Sequence, residues 1–353
     1  MREQNLVKKW FAGQHKITKS TVSAKEDAEE GNTALLRIVG LKTHLFTSYG
    51  VVKPVDDVNL TINKGEALGL VGESGSGKTI TGLSIIRLLP RSIARIVAGS
   101  IHFMGTDLVS LPEPEMRRLR GRHIAMILQD PLTSLNPVLT IGHQMAEPLR
   151  EHCVVPSPNL NERIHSLLRM VNIAAPTRCF HSFPHHLSGG MRQRIVGALA
   201  FSCMPELIIA DEPTTALDAT VQANYLRLLK DLQREHKTAL LFITHDLGIV
   251  AKVCDTIAVM YAGTIVESGS VRNVLENAAH PYTRALLQAL PSPFHDVDYL
   301  PSIPGQPPTL DSIKAGCAFA PRCDSSFSKC TENAPPEVET EPGHNTRCWL
   351  YVQ

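Results

Sequence analysis

The chain has 353 residues, 43% of them apolar, with 35 Lys plus Arg against 34 Asp plus Glu. This suits one large α/β domain with an appendage and a sizeable core. The charge balance excludes the overall basic excess of a nucleic-acid binder. No apolar run approaches the roughly 20 residues a bilayer-crossing helix requires.

Residues 1–34 carry mixed charge and no apolar period, and are expected to form a flexible tail. Arg2, Lys8 and Lys9 precede no apolar stretch, so the start does not read as a secretory signal and the chain is expected to stay in the cytosol. Trp10 and Phe11, among these early basic residues, offer a membrane-surface touch as a lesser reading. Strand-like runs follow at 35–39 and 58–62, then a turn at 63–66 and a short apolar run at 67–71 that suits a buried strand. A Gly-rich loop comes next, then a helix predicted over 78–89 and stopped by Pro90. Residues 130–200 hold helical periods, at 161–170 and 191–200, and read as a helical insertion. Strands at 206–210 and 239–244 flank a helix at 220–236, and this alternation predicts a parallel sheet. After Pro281 the composition shifts, and the proline-rich stretch 291–343 reads as an extended appendage.

The loop Gly72-Glu73-Ser74-Gly75-Ser76-Gly77-Lys78-Thr79 fits the phosphate-binding pattern G-x-x-x-x-G-K-[ST], and the predicted strand before it and helix after it supply the required context. Glycines allow close backbone approach, so successive N–H groups wrap phosphates at a helix N-terminus. Lys78 is expected to reach the β- and γ-phosphates and Thr79 to ligate Mg²⁺. A chance Gly-rich turn would lack the flanking elements. Leu207-Ile208-Ile209-Ala210-Asp211-Glu212 is an apolar run ending in two carboxylates. At the C-terminal end of a parallel strand such carboxylates face the ligand crevice. Asp211 suits Mg²⁺, directly or through water, and Glu212 suits the attacking water. An isolated Asp-Glu pair is usually a solvated strand end; the Lys78 loop lifts this one above that reading.

Leu187-Ser188-Gly189-Gly190-Met191-Arg192-Gln193-Arg194 resembles the signature of ABC cassettes, which plain P-loop proteins lack. Other elements of that family appear in order. Gln129 matches the Q-loop, Thr215-Ala216-Leu217-Asp218 resembles the D-loop, and His245 matches the switch histidine. Tyr49 looks like the aromatic that stacks on adenine. The segments 129–137 and 211–218, with His280-Pro281-Tyr282-Thr283-Arg284, resemble the oligopeptide/dipeptide/nickel importers, and the likeness covers about 35–353. His186, Met204 and Ala219 depart from the usual pattern, away from any phosphate contact.

The resemblance implies an α/β P-loop cassette over 35–278, with a helical subdomain at about 130–200 and a C-terminal extension over 279–353. It implies an ATP-hydrolysing subunit of a peptide-type importer, peripheral on the cytoplasmic face of the membrane. Expected partners are a second cassette in a heterodimer, two transmembrane permeases and a solute-binding protein, with no nucleic acid. ATP would lie between cassettes: Gly72, Ser74, Gly75, Ser76, Gly77, Lys78, Thr79 and Gln129 on one nucleotide, and Ser188, Gly189, Gly190 and Gln193 on another. Mg²⁺ would be held by Thr79, Gln129 and Asp211, with Glu212 and His245 catalytic and Asp218 in the D-loop. The alternative, a soluble ABC ATPase acting on DNA or ribosomes, is disfavoured. Lys78 and Asp211 are too close for a long coiled-coil insertion, and one set of motifs is present rather than two.

Of eight cysteines, Cys317, Cys323, Cys330 and Cys348 crowd into the last 37 residues. In a reducing cytosol such a group suggests metal before disulfides. Four thiolates can hold zinc or an iron–sulfur cluster, and the tight C-x2-C pairs usual for zinc are absent. The importer resemblance favours [4Fe–4S], with Zn²⁺ and free thiols as the other readings.

Overall fold

The computed structural model describes residues 34–152, 154–215, 217–289, 302–309 and 315–352. The expected tail, apart from Ala34, lies outside this set. Twelve strands are found among the described residues: β1 Ala34–Thr47, β2 Gly50–Asn63, β3 Ala67–Val71, β4 Ala94–Phe103, β5 Thr106–Asp107, β6 Ile124–Ile127, β7 Leu207–Asp211, β8 Ala239–Thr244, β9 Thr256–Tyr261, β10 Thr264–Ser270, β11 Val338–Glu341 and β12 His344–Thr346. They form a sheet of order β2-β1-β4-β5 and a larger one of order β11-β12-β10-β9-β3-β8-β7-β6.

In the larger sheet β9, β3, β8, β7 and β6 pair in parallel. Every residue of β3, β7 and β8 is buried, which explains their continuous apolar runs: both faces are covered. Val71 pairs with Thr244, and Asp211 with Ile243, so three strands end level on one edge. Gly72, Glu212 and His245 follow at once and share that edge.

The smaller, antiparallel sheet packs Leu36, Ile38, Leu41, Val58 and Ile62 into a core with Ile85, Ile209 and Leu241. The expected helix after the phosphate loop ends early, at Ile85, and Arg87 then turns to φ 52°. The insertion is helical as expected, with helices Ile141–Glu151, Leu160–Met170 and Gly189–Ala200 among its elements. Ile141, Met145 and Leu149 recur at helical spacing and bury one face. Thr140 caps that helix by accepting the His143 N–H at 3.3 Å.

The extension is more structured than its prolines suggest. It contains the helix Pro281–Gln288, a short helix Ser328–Glu332 and the β11–β12 hairpin. The described residues from Ala34 onward form one compact unit. β12 joins the main sheet, pairing Thr346 with Glu267 and Asn345 with Ser268. The Glu267 carboxylate, fully buried, accepts the N–H groups of Ala279 and His280 at 2.6 and 3.0 Å and meets His344 Nε2 at 2.7 Å. One carboxylate thus ties β10 to the start of the extension and to its end. Leaving a buried group of this kind without its hydrogen-bond partner costs about 1–3 kcal/mol.

His280 is 1% exposed, and its Nδ1 accepts the Tyr282 N–H at 3.0 Å. Burial pushes its pKa down to about 3, with Arg284 adding to the effect. Because this lies below the unfolded value of about 6.5, the unfolded chain takes the proton first. The His280 contribution to stability is therefore intact above about pH 6.5 and falls as pH drops below it, by at most about 1.4 kcal/mol per pH unit. His280→Asn keeps an acceptor without the titration. Urea midpoints measured from pH 8 to pH 5 should fall more steeply for the wild type than for this variant; parallel curves would remove His280 as the cause.

Candidate functional site

The site begins where β3 runs out. Gly77 sits at φ 109°, and a Cβ there would lie 1.9 Å from the Pro54 carbonyl oxygen; one on Gly72 would lie 2.1 Å from that of Met260. Only glycine fits either position. The loop closes on Lys78, which is 5% exposed. Its Nζ donates to the carbonyls of Gly72 and Glu73 at 2.8 and 2.9 Å and to Ser76 Oγ at 3.4 Å. Burial lowers the Lys78 pKa, while Glu212, Asp211 and Glu73 pull it back up. The ammonium is thus held by loop carbonyls beside three carboxylates.

Thr79 Oγ1 donates to Asp211 Oδ1 at 3.2 Å, so hydroxyl and carboxylate already share one point. Burial raises the Asp211 pKa, an effect the Thr79 hydrogen bond partly offsets. Glu212 leaves the strand at φ 43°, a left-handed turn that only a few per cent of non-glycine residues adopt. The turn directs its carboxylate toward three partners. His245 Nδ1 lies 3.1 Å from Oε1, while Thr215 Oγ1 and Gln129 Nε2 lie 3.0 and 3.2 Å from Oε2. Burial would raise the Glu212 pKa, but the hydrogen bonds from His245 and Thr215 outweigh it and hold the carboxyl below its ordinary range. The two adjacent carboxyls are thereby driven apart in acidity, the usual mark of a division of labour.

These groups line one recess of about 740 Å³, walled by residues 72–75 and 77–80 together with Gln129, Glu212, His245, Leu45, Pro54 and Leu286. The structure therefore brings Gly72, Ser74, Gly75, Gly77, Lys78, Thr79, Gln129, Glu212 and His245 together, with Ser76 and Asp211 buried directly behind them. Tyr49 is not among them; it stands 99% exposed on the β1–β2 turn. Ser188 and Gly189 are also exposed and line no wall of the recess. Ser188 caps the Gly189–Ala200 helix, accepting the Met191 N–H at 3.3 Å. Gly190 backs onto Val221, whose Cγ1 would lie 2.8 Å from an added Cβ. Gln193, grouped with them on sequence, is instead 1% exposed and points into the core beside Tyr225, because the helix turns that position inward. Asp218 caps the Ala219–His236 helix through the N–H groups of Thr220 and Val221.

Comparisons with known proteins place this chain in a family. The family model for ABC transporters matches residues 55–215, and the model for the oligopeptide/dipeptide transporter C-terminal region matches 266–330. A probable peptide ABC transporter ATP-binding protein of Sinorhizobium fredii is 48% identical over 316 residues, 89% of this chain and 94% of that protein. The chain belongs to the ABC transporter ATP-binding family. The oligopeptide transport ATP-binding protein AppD of Bacillus subtilis is 45% identical over 91% of this chain and 98% of its own length. The dipeptide transport ATP-binding protein DppD of the same organism is 44% identical over 87% and 92%. Among solved structures, a dimeric ATP-binding cassette in a post-hydrolysis state bound to ADP and Pi superposes with TM-score 0.60 at 25% identity, over 67% of this chain and 99% of that one. This cassette is an ABC-type ATPase. No helix among the described residues is long and apolar enough to cross a membrane.

The [4Fe–4S] ligand set expected at Cys317, Cys323, Cys330 and Cys348, with Zn²⁺ as the alternative, is not found in the structure. Among the described residues no group of three or more His, Cys, Asp or Glu stands together in that way. The four cysteines form no disulfide, and burial raises the pKa of Cys317 to about 11 and lifts those of Cys323 and Cys348. All four nonetheless line one small apolar recess with Phe319, Trp349 and Leu350.

Sequence reasoning missed three contributors to the nucleotide recess. Glu73 enters the sequence motif without a role, Tyr282 enters only as part of the importer resemblance, and Arg322 does not enter at all. The Tyr282 hydroxyl accepts the Glu73 N–H at 2.9 Å, and Arg322 grips the Glu73 carboxylate at 2.7 and 3.1 Å.

The pH dependence of ATP hydrolysis should report the Glu212 environment. Thr215→Val removes one hydrogen bond that keeps its pKa low and leaves the burial that raises it. The acid limb of the rate profile should then move to higher pH, and His245→Ala should move it further, since two acidifying effects of His245 are lost. An unmoved limb in both variants would show that Glu212 does not set it.

Proposed function

We propose that this chain is the ATP-hydrolysing subunit of a peptide importer, held on the cytoplasmic face of a membrane by two permease subunits and served by a solute-binding protein. The observation that carries this reading is the Glu212 carboxylate, gathered by Gln129, Thr215 and His245 at the mouth of the Lys78 loop. Relatives named for peptide, oligopeptide and dipeptide transport, aligned over nearly the whole chain, support the class of solute.

In this reading the triphosphate displaces the loop carbonyls from Lys78 Nζ, and the N–H groups of residues 74–79 wrap it. Mg²⁺ would sit where Thr79 and Asp211 already meet, with Gln129 at the edge, and would neutralise charge on the phosphates. Glu212, kept ionised, accepts hydrogen bonding from the attacking water. His245 and Thr215 hold the carboxylate still. Tyr49, exposed on its turn, would stack on adenine. The exposed Ser188 and Gly189 at a helix N-terminus suit the phosphates of a nucleotide held by a second, different cassette. Asp218, at the neighbouring helix start, would face the same junction. Closure would then come from contacts that only the ATP-bound pair can make.

Glu212→Gln should keep ATP affinity and lose turnover by about 10²–10⁴-fold, the usual weight of a positioned base. Lys78→Ala should lose affinity instead. Near-normal turnover in Glu212→Gln sinks the assignment. The purified lone chain should hydrolyse ATP slowly and accelerate with its partner cassette and permeases; a homodimer with full solute-independent activity would reject the heterodimer.

For the cysteine recess we infer a resident [4Fe–4S] cluster, with Zn²⁺ as the alternative. What supports this is that Cys317, Cys323, Cys330 and Cys348 line one small apolar recess with Phe319 and Trp349, and four thiolates are the usual donors of such a cluster. When bound, the cluster would cross-link a segment with little core of its own. Anaerobically purified protein should be brown and carry about four iron atoms per chain. Cys323→Ser should bleach it, whereas Cys254→Ser should not. One zinc without iron would replace the cluster, and neither metal would leave ordinary thiols.

A further inference from the structure

Glu73 is a carboxylate in the wall of a recess suited to a polyanion. Left free, its charge would repel phosphate and divert Lys78, whose acidity already responds to it. All of its polar groups are engaged. The carbonyl accepts from Lys78 Nζ at 2.9 Å, the N–H donates to the Tyr282 hydroxyl at 2.9 Å, and the carboxylate takes the Arg322 fork at 2.7 and 3.1 Å. Two of these three partners come from the C-terminal extension, more than 200 residues away in sequence.

Arg322 is itself fixed. Its Nε donates to the Pro304 carbonyl at 2.9 Å and its Nη1 lies 3.3 Å from the Tyr261 hydroxyl. Its guanidinium stands 5.9 Å from the Tyr261 ring centre and 6.0 Å from that of Phe319. The side chain is only 5% exposed, so its charge acts in a setting where water screens it weakly. A planar fork on a carboxylate both orients and neutralises it.

We propose that Arg322 is a positioning residue for nucleotide binding: through Glu73 it fixes the phosphate loop and cancels the charge of the loop's own carboxylate, which would oppose ATP. This rests on residues 72–79 being the phosphate site. The extension is then a working part of the ATP site and not only a tail fastened to the cassette. The claim makes an unusual demand on signs. Arg322→Ala exposes the phosphates to an uncancelled Glu73, whereas Arg322→Ala with Glu73→Gln removes arginine and repulsion together.

The test is equilibrium titration of the full chain with a fluorescent ATP analogue, alongside KM and kcat for ATP. Arg322→Ala should weaken affinity by roughly 3- to 30-fold, the range for losing a charge-assisted contact, and the loss should appear in KM more than in kcat. Adding Glu73→Gln should recover most of it. A purely structural clamp predicts that the double variant is no better than Arg322→Ala, and that result overturns the proposal, as does wild-type affinity in Arg322→Ala. If Arg322→Ala fails to fold, Arg322→Lys and Arg322→Gln carry the same comparison: the lysine should retain affinity and the glutamine lose it, and equal affinities refute the charge role. Lys78→Ala runs in parallel. Undiminished affinity there overturns the phosphate-site reading itself, independently of Arg322.

Discussion

A buried ammonium and a buried carboxylate converge at the end of the parallel sheet, and the rest of the molecule is arranged around keeping both charged. Lys78 is 5% exposed and Asp211 3% exposed, and burial works against the charge of each. Isolated charges so placed would neutralise themselves. Here the ammonium is caged by loop carbonyls and the carboxylate is met by Thr79. Level strand ends bring the two together, since β3 and β7 are each one strand from β8. The glycines, the left-handed turn at Glu212 and the apolar strands all serve that convergence.

The same logic extends outward through aromatic packing. Tyr261, Tyr282 and Phe319 form a triangle with ring centres 4.5, 5.3 and 5.4 Å apart. Tyr261 ends β9, Tyr282 opens the extension, and Phe319 lies between Cys317 and Cys323. Such pairs contribute about 0.5–1.5 kcal/mol each beyond their area. They also set the polar tips: the Tyr282 hydroxyl at Glu73 and the Tyr261 hydroxyl at Arg322. The extension has few apolar residues of its own, yet it borrows the cassette core through this triangle.

What the sequence disclosed and what it hid divide along contact range. The phosphate loop and the Asp211-Glu212 run are local: spacing and flanking elements identify them, and the structure brings the two together. Buried strands were legible because a parallel sheet covered on both faces demands apolar runs. The inward turn of Gln193 was not legible, because its motif conceals which helical face meets Tyr225. Nor was the Arg322–Glu73 contact, since a lone arginine in a proline-rich stretch gives no sign of a partner 249 residues away. Prolines also masked β12, whose pairing depends on Glu267 in the cassette rather than on its own propensity.

The β11–β12 hairpin carries one more consequence. β10 would otherwise be the last strand of the main sheet, presenting an open row of backbone donors and acceptors beside the apolar side chains of Ile265 and Val266. An open edge of that kind is a template for pairing with another chain. β12 occupies it, and the new border is β11, four residues long, with Glu339 and Glu341 exposed along it. The sheet thus ends in a short, negatively charged selvedge. A border so short and so charged is a poor template for strand pairing between molecules, a consequence of the extension that has nothing to do with ATP.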